Sequence, residues 1–149
     1  MKMTGTEQID APKQLVWEAL NDPEVLRECI PGCQSLEMTG AHSMTAKVRI
    51  KIGIISATFV GDVVLSDIDA PNGCRISGEG KGGVAGFAKG GADVSLEESE
   101  GGTLLSYECN AQLGGKLAQM GSRLIDSTAK KLAGQFFSKF NDVVCEKAA

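Results

Sequence analysis

The chain has 149 residues, with 15 Lys and Arg against 19 Asp and Glu for a formal net charge of −4; 42% of it is hydrophobic and 23% charged. These values suit one folded domain spanning residues 1–149 and exclude disorder, and the lack of any Lys/Arg run longer than a pair excludes the basic footprint that nucleic acid requires. The outlying figure is 19 glycines, nearly twice the usual share of about 7%, which predicts many turns and backbone passing close to something.

From Lys2 to Asp10, Thr4, Thr6 and Gln8 alternate with Met3, Glu7 and Ile9, the pattern of a short strand. Asp10-Ala11-Pro12 then starts a helix whose apolar face is Val16, Trp17 and Leu20, since Pro is tolerated in a first turn where its missing N–H has no partner. Asn21-Asp22-Pro23 repeats the signal, predicting a second short helix from Pro23 to about Cys29 with Val25, Leu26 and Ile30 inward and Pro31-Gly32 as its stop. The period then changes to two. Met44, Ala46, Val48, Ile50 and Ile52 alternate with polar residues, and further alternating runs cover 56–67, 74–80, 89–98 and 103–113. Thr39-Gly40-Ala41-His42, Ala70-Pro71-Asn72-Gly73 and Glu100-Gly101-Gly102 punctuate them, giving a meander and seven strands in all. After Gly114-Gly115, apolar residues from Leu117 to Val143 recur at three- and four-residue steps, predicting one helix from about Lys116 to Glu146. Gly121 and Gly134 fall inside it, and a close backbone approach is the expected reason.

The order strand, two short helices, six strands, long helix predicts an α+β helix-grip: a curved antiparallel sheet wrapped around the C-terminal helix, with a cavity between them.

The chemistry-bearing residues are sparse. His42, the single histidine, falls in a turn, and no G-x-S-x-G elbow accompanies it, so no catalytic residue is assigned. Cys29, Cys33, Cys74, Cys109 and Cys145 are an odd set without a CxxC pair, which predicts reduced, mostly buried thiols rather than disulfides or zinc. The close pair Cys29 and Cys33 is the one redox candidate, its role left open. No metal and no cofactor is expected. Asp62, Asp93, Glu108 and Asp126 are isolated carboxylates, with Asp93 and Glu108 on the polar strand face. The glycine-dense run 78–91 lacks the form and flanks of a phosphate loop and reads as a wide hairpin. A strand face of Gly and Ala leaves unfilled volume above it, where an apolar ligand fits. No apolar run approaches the roughly 20 residues of a membrane span, and the first residues lack a signal-peptide core, so a cytoplasmic location is expected.

Three separated motifs carry a family resemblance. Ala11-Pro12 with Trp17, Asn21-Asp22-Pro23 and Ile30-Pro31-Gly32-Cys33 form the first, 82–90 (GGVAGFAKG) the second, and 114–121 (GGKLAQMG) with Arg123-Leu124-Ile125 the third. Together they resemble the carbon monoxide dehydrogenase CoxG family, within the START-like, Bet v 1-like (SRPBCC) superfamily of helix-grip folds. The resemblance implies a non-enzymatic accessory protein associated with aerobic carbon monoxide dehydrogenase or a related molybdenum hydroxylase. Its role there would be maturation, membrane recruitment or electron-acceptor supply, with a cavity suited to a quinone- or lipid-like molecule. Longer members carry a tail that reaches the membrane; this chain ends at Ala149, so membrane contact is expected to be at most peripheral, at the inner face.

The cavity is expected to open near the Ile30-Pro31-Gly32 turn and the Gly83–Phe87 hairpin. Leu26, Ile30, Pro31, Phe59, Val84, Phe87, Tyr107, Leu117, Met120 and Leu124 are its candidate ligand-binding residues. Two other readings stand beside the carrier: a polyketide cyclase/dehydratase-like enzyme on the same fold, using Tyr107, Cys109 and a carboxylate, and a protein-interaction adaptor with a vestigial pocket and an exposed apolar patch. The ligand, the partner oxidoreductase and a homodimeric state stay open.

Overall fold

The computed structural model describes residues 1–149. Strands β1 (Lys2–Ile9), β2 (Cys33–Gly40), β3 (Ser43–Ile52), β4 (Ile55–Asp69), β5 (Gly73–Lys81), β6 (Phe87–Ser99) and β7 (Gly102–Gly114) form one antiparallel sheet. Its order is β1-β7-β6-β5-β4-β3-β2, so the last six strands are the predicted meander and β1 adds to the far side of β7. Helices α1 (Lys13–Leu20) and α2 (Pro23–Cys29) link β1 to β2, and the 27-residue α3 (Ser122–Ala148) lies across the sheet. At 1.5 Å per residue α3 is about 40 Å long. The architecture is the α+β helix-grip that the alternating and helical periods predict.

Local chemistry explains most boundaries. The Asp22 carboxylate accepts a hydrogen bond from the Glu24 N–H at 3.0 Å and Pro23 occupies the first helical position, so α2 starts with a capped, pre-set turn. The link between β1 and α1 is tied to α3: the Asp10 N–H donates to Asn141 Oδ1 at 3.0 Å, and Thr103 donates to the Ala11 carbonyl at 2.7 Å from a fully buried hydroxyl. The interior is packed at two separate ends. The larger cluster joins Ile9, Val16, Trp17, Val25 and Cys29 to Leu96, Leu105, Phe140 and Val144; the smaller one joins Phe59, Ala85 and Leu117, with Ile50, Ile55 and Met120 against them.

Three expectations are corrected. The long helix does not begin at Lys116: residues 115–119 form a 3-10 turn, and α3 starts at Ser122. Gly121 is therefore its N-cap, in an extended conformation (φ −61, ψ 143), a place where Gly is favoured. The expected close approach at Gly121 and Gly134 is absent, since a Cβ on either would meet nothing within 4 Å. Such an approach occurs instead where the 3-10 turn 83–85 meets the turn 115–119: Gly86 (φ +106) and Gly115 (φ +67) pack backbone to backbone, and a Cβ on Gly86 would collide with the Gly114 carbonyl. The thiols are free, but Cys29 alone is buried, inside the larger cluster, and Cys33, Cys74, Cys109 and Cys145 are half-buried. No helix is long and apolar enough to cross a membrane.

Candidate functional site

The pairing register fixes which residues face α3. Leu65 opposes Ile76, which opposes Ala92, which opposes Cys109, and directly opposed residues share a face. Continuing by twos, the concave face toward the smaller cluster carries Gly61, Gly78 and Gly80 on β4 and β5, then Ala88, Gly90 and Ala111 on β6 and β7. Hardly a side chain projects from the middle of the sheet. A Cβ at Gly61, Gly78 or Gly80 would meet only neighbouring strands, with no atom of α3 within 4 Å.

The space shows in the surface area. A monomer of 15.6 kDa is expected to expose roughly 7,200 Å², and this one exposes 8304 Å². Val63, Leu65, Ile76 and Ala92 on the concave face and Leu132, Ala133 and Phe136 on α3 are half-buried rather than buried. The two packed clusters close the ends of the gap between sheet and helix. Tyr107 stacks on Phe137 with ring centroids 5.5 Å apart, and Phe137 in turn meets Phe136 at 5.1 Å, forming an aromatic wall at the larger cluster.

A groove of about 440 Å³ opens beside the gap, between the α2–β2 turn, β3 and α3. Pro31, Ile50 and Leu132 form its apolar lining, with Arg49, Lys51 and Lys131 around them. A larger cleft of about 740 Å³ between α2 and the end of α3 is lined mostly by charged residues, including Asp22, Glu24, Arg27 and Glu28, and is unsuited to an apolar molecule. A third cleft, of about 700 Å³, lies on the convex face over Asp62, Arg75, Glu79 and Lys89.

The predicted lining residues divide by position. Phe59, Leu117 and Met120 meet in the smaller cluster, and Pro31 lines the groove. Tyr107 stands at the aromatic wall; Leu26 and Ile30 are half-buried at and just after the end of α2. Leu124 is exposed beside the β3–β4 turn. Val84 projects into solvent from its 3-10 turn, and Phe87 lies on the convex side with its ring over Gly114. Sequence reasoning missed Ile50, Leu132, Phe137 and Glu7. The alternation in β1 already groups Glu7 with Met3 and Ile9, so that signal was present for the inward carboxylate.

Ionisable groups are scarce inside. The Tyr107 hydroxyl is held above its usual range by burial first, then by Glu7 and Cys109. Burial likewise pushes the Cys29 thiol up to about 11, with Glu28 adding to it, and raises Cys33 and Cys74, so these thiols stay protonated and poorly nucleophilic. The carboxylates weighed from sequence face outward: Asp62 accepts from Thr45 at 2.7 Å, Asp93 pairs with Arg75 at 2.9 Å, and Glu108 pairs with Lys2 at 3.3 Å, while Asp126 is exposed. His42 is exposed in the β2–β3 turn, and no group of three His, Cys, Asp or Glu side chains converges as metal ligands do.

The sequence profile of the carbon monoxide dehydrogenase CoxG family matches residues 5–145. Among solved structures, a conserved protein from Geobacillus kaustophilus superposes with a TM-score of 0.93 at 29% identity, over 100% of this chain and 98% of that one. The Zhui aromatase/cyclase from Streptomyces sp. R1128 superposes at 0.68 with 12% identity, covering 100% and 96% of the two chains. Ara h 8.0201 superposes at 0.68 with 16% identity, covering 98% of each. The fold is thus the Bet v 1-like helix-grip. No curated protein matches the sequence.

Proposed function

The chain belongs to the carbon monoxide dehydrogenase CoxG family, and from that premise we propose that it is a non-enzymatic accessory protein holding a quinone- or lipid-like molecule between the sheet and α3. In this reading it serves a molybdenum hydroxylase of the carbon monoxide dehydrogenase kind from the cytoplasm, in maturation, membrane recruitment or electron-acceptor supply. The observation that carries it is the bare middle of the concave face, Gly61, Gly78, Gly80 and Ala88, between two packed ends. Burying about 300 Å² of apolar ligand there contributes roughly 7 kcal/mol before the losses of association. The flanking Phe136 and Phe137 offer ring faces for stacking. Met120, Phe59, Leu117 and Leu132 supply the aliphatic and aromatic wall for a chain.

A polyketide cyclase-like reading rests on Tyr107, with Glu7 and Cys109 nearby on the concave face. No hydrogen bond joins the Tyr107 hydroxyl to Glu7 or Cys109 as an acid–base pair requires, and the likeness to an aromatase/cyclase at 12% identity concerns the fold.

The test is mass spectrometry of an organic extract of protein purified without detergent from its native host. A stoichiometric quinone or lipid is the expected result. A clean extract, together with failure to bind 1-anilinonaphthalene-8-sulfonate, would remove the carrier reading and leave the adaptor one.

A further inference from the structure

The strand ends of a meander alternate, so the β3–β4 turn, the β5–β6 link and the end of β7 gather at one end of the molecule. The turns after β2, β4 and β6 gather at the other. At the first end four large apolar side chains stand in solvent: Ile54 is 101% exposed at the β3–β4 tip, Val84 85%, Phe87 40% and Leu124 39%. They are neighbours. Leu124 lies against Gly53, beside Ile54, and the 3-10 turn carrying Val84 packs on the turn that leads into α3. The underlying Phe59, Ala85 and Leu117 hold all these tips on one base.

Cations surround the tips. Lys51, Lys81, Lys116 and Arg123 flank them, and Arg49 and Lys131 edge the adjoining groove. None of the six pairs with a carboxylate; the four ion pairs of the molecule use Lys2, Arg27, Arg75 and Lys139. The acidic turns, Asp67 with Asp69 and Glu97, Glu98 with Glu100, lie at the opposite end. A chain of net charge −4 therefore presents a positive, apolar-tipped end, which matches a surface that is anionic above and hydrocarbon below.

We propose that this end docks on an anionic lipid bilayer, with Ile54, Val84 and Leu124 entering the headgroup region and the unpaired cations resting on lipid phosphates. The proposal rests on the carrier reading: docked this way, the groove at Pro31, Ile50 and Leu132 faces the membrane edge, and an apolar molecule passes between bilayer and interior without crossing bulk water.

The test is flotation of the full chain with vesicles of phosphatidylcholine alone and of phosphatidylcholine mixed with phosphatidylglycerol. Binding to the mixed vesicles only, weakening with salt, is expected. Each cation removed lowers binding about fivefold, so Lys81→Glu with Lys116→Glu reduces it more than about tenfold, and Ile54→Ser with Val84→Ser abolishes it. These positions are open to solvent, so the variants fold and bind 1-anilinonaphthalene-8-sulfonate in free solution as the parent does. Equal binding to both vesicle types, variants that float like the parent, or no flotation at all, as when a protein partner covers this end, overturns the proposal. The dye in free solution tests the carrier reading separately: a parent that floats but binds no dye keeps the docking surface and loses the carrier.

Discussion

Gly80 shows how much of the site depends on an atom that is missing. It sits on a regular strand, opposite Gly61 and Ala88, and an added Cβ would touch only Phe59 Cβ, at 4.0 Å. A β-branched residue there suits the strand and gains up to about 1 kcal/mol of stability over Gly, yet it projects into the volume proposed for the ligand. Gly80→Val is expected to raise the melting temperature while lowering affinity for an apolar probe about tenfold, and unchanged probe affinity would move the site elsewhere. Cys29 makes a different residue-level prediction. Below about pH 9 its thiol is protonated in both folded and unfolded chains; between its ordinary value of 9.0 and about 11 the unfolded thiol ionises while the folded one does not. The unfolded state then binds fewer protons, and stability falls as pH rises through that window, by up to about 2 kcal/mol. Urea midpoints measured across the window should fall less steeply for Cys29→Val than for the parent.

At the scale of the element, α3 carries one glycine that neither its own geometry nor its packing requires. Gly134 is exposed in its interior, in helical geometry, with nothing within 4 Å of a built Cβ, and nothing in the structure explains it. Gly134→Ala is expected to stabilise the protein by about 1 kcal/mol in urea unfolding without altering probe binding. A loss of stability would reveal a contact to this face of α3. The strands and short helices were legible because their signals are local: alternation with a wet face, and Asp-Pro at a helix start. The beginning of α3 was not. Leu117 and Met120 keep helical spacing with Leu124, but Gly115 at positive φ and the backbone packing of Gly86 on Gly115 bend residues 115–119 into a separate turn, and that constraint comes from a segment some thirty residues away in sequence.

For the whole molecule, an interior packed at both ends and open between them leaves the ligand-free state short of contacts. A ligand that binds only the folded chain stabilises it by about 2.7 kcal/mol at a hundred times its dissociation constant. Protein purified without detergent is therefore expected to melt several degrees higher than the same protein after solvent delipidation, and re-addition of the extract should restore the difference. Identical melting curves would count against a resident ligand.

Period and punctuation along the chain are properties of neighbouring residues, so they determine the seven strands, the two short helices, the long helix and hence the helix-grip before any tertiary contact is considered. The site is decided by distance across the fold. Which Gly and Ala positions form the concave floor, and that Phe87 falls on the convex side, depend on register between strands, and the outward placement of Val84 depends on how two 3-10 turns stack. The gathering of unpaired cations around Ile54 depends on the alternation of turns between the two ends of a meander. These relations join residues far apart in sequence, and packing alone brings them together.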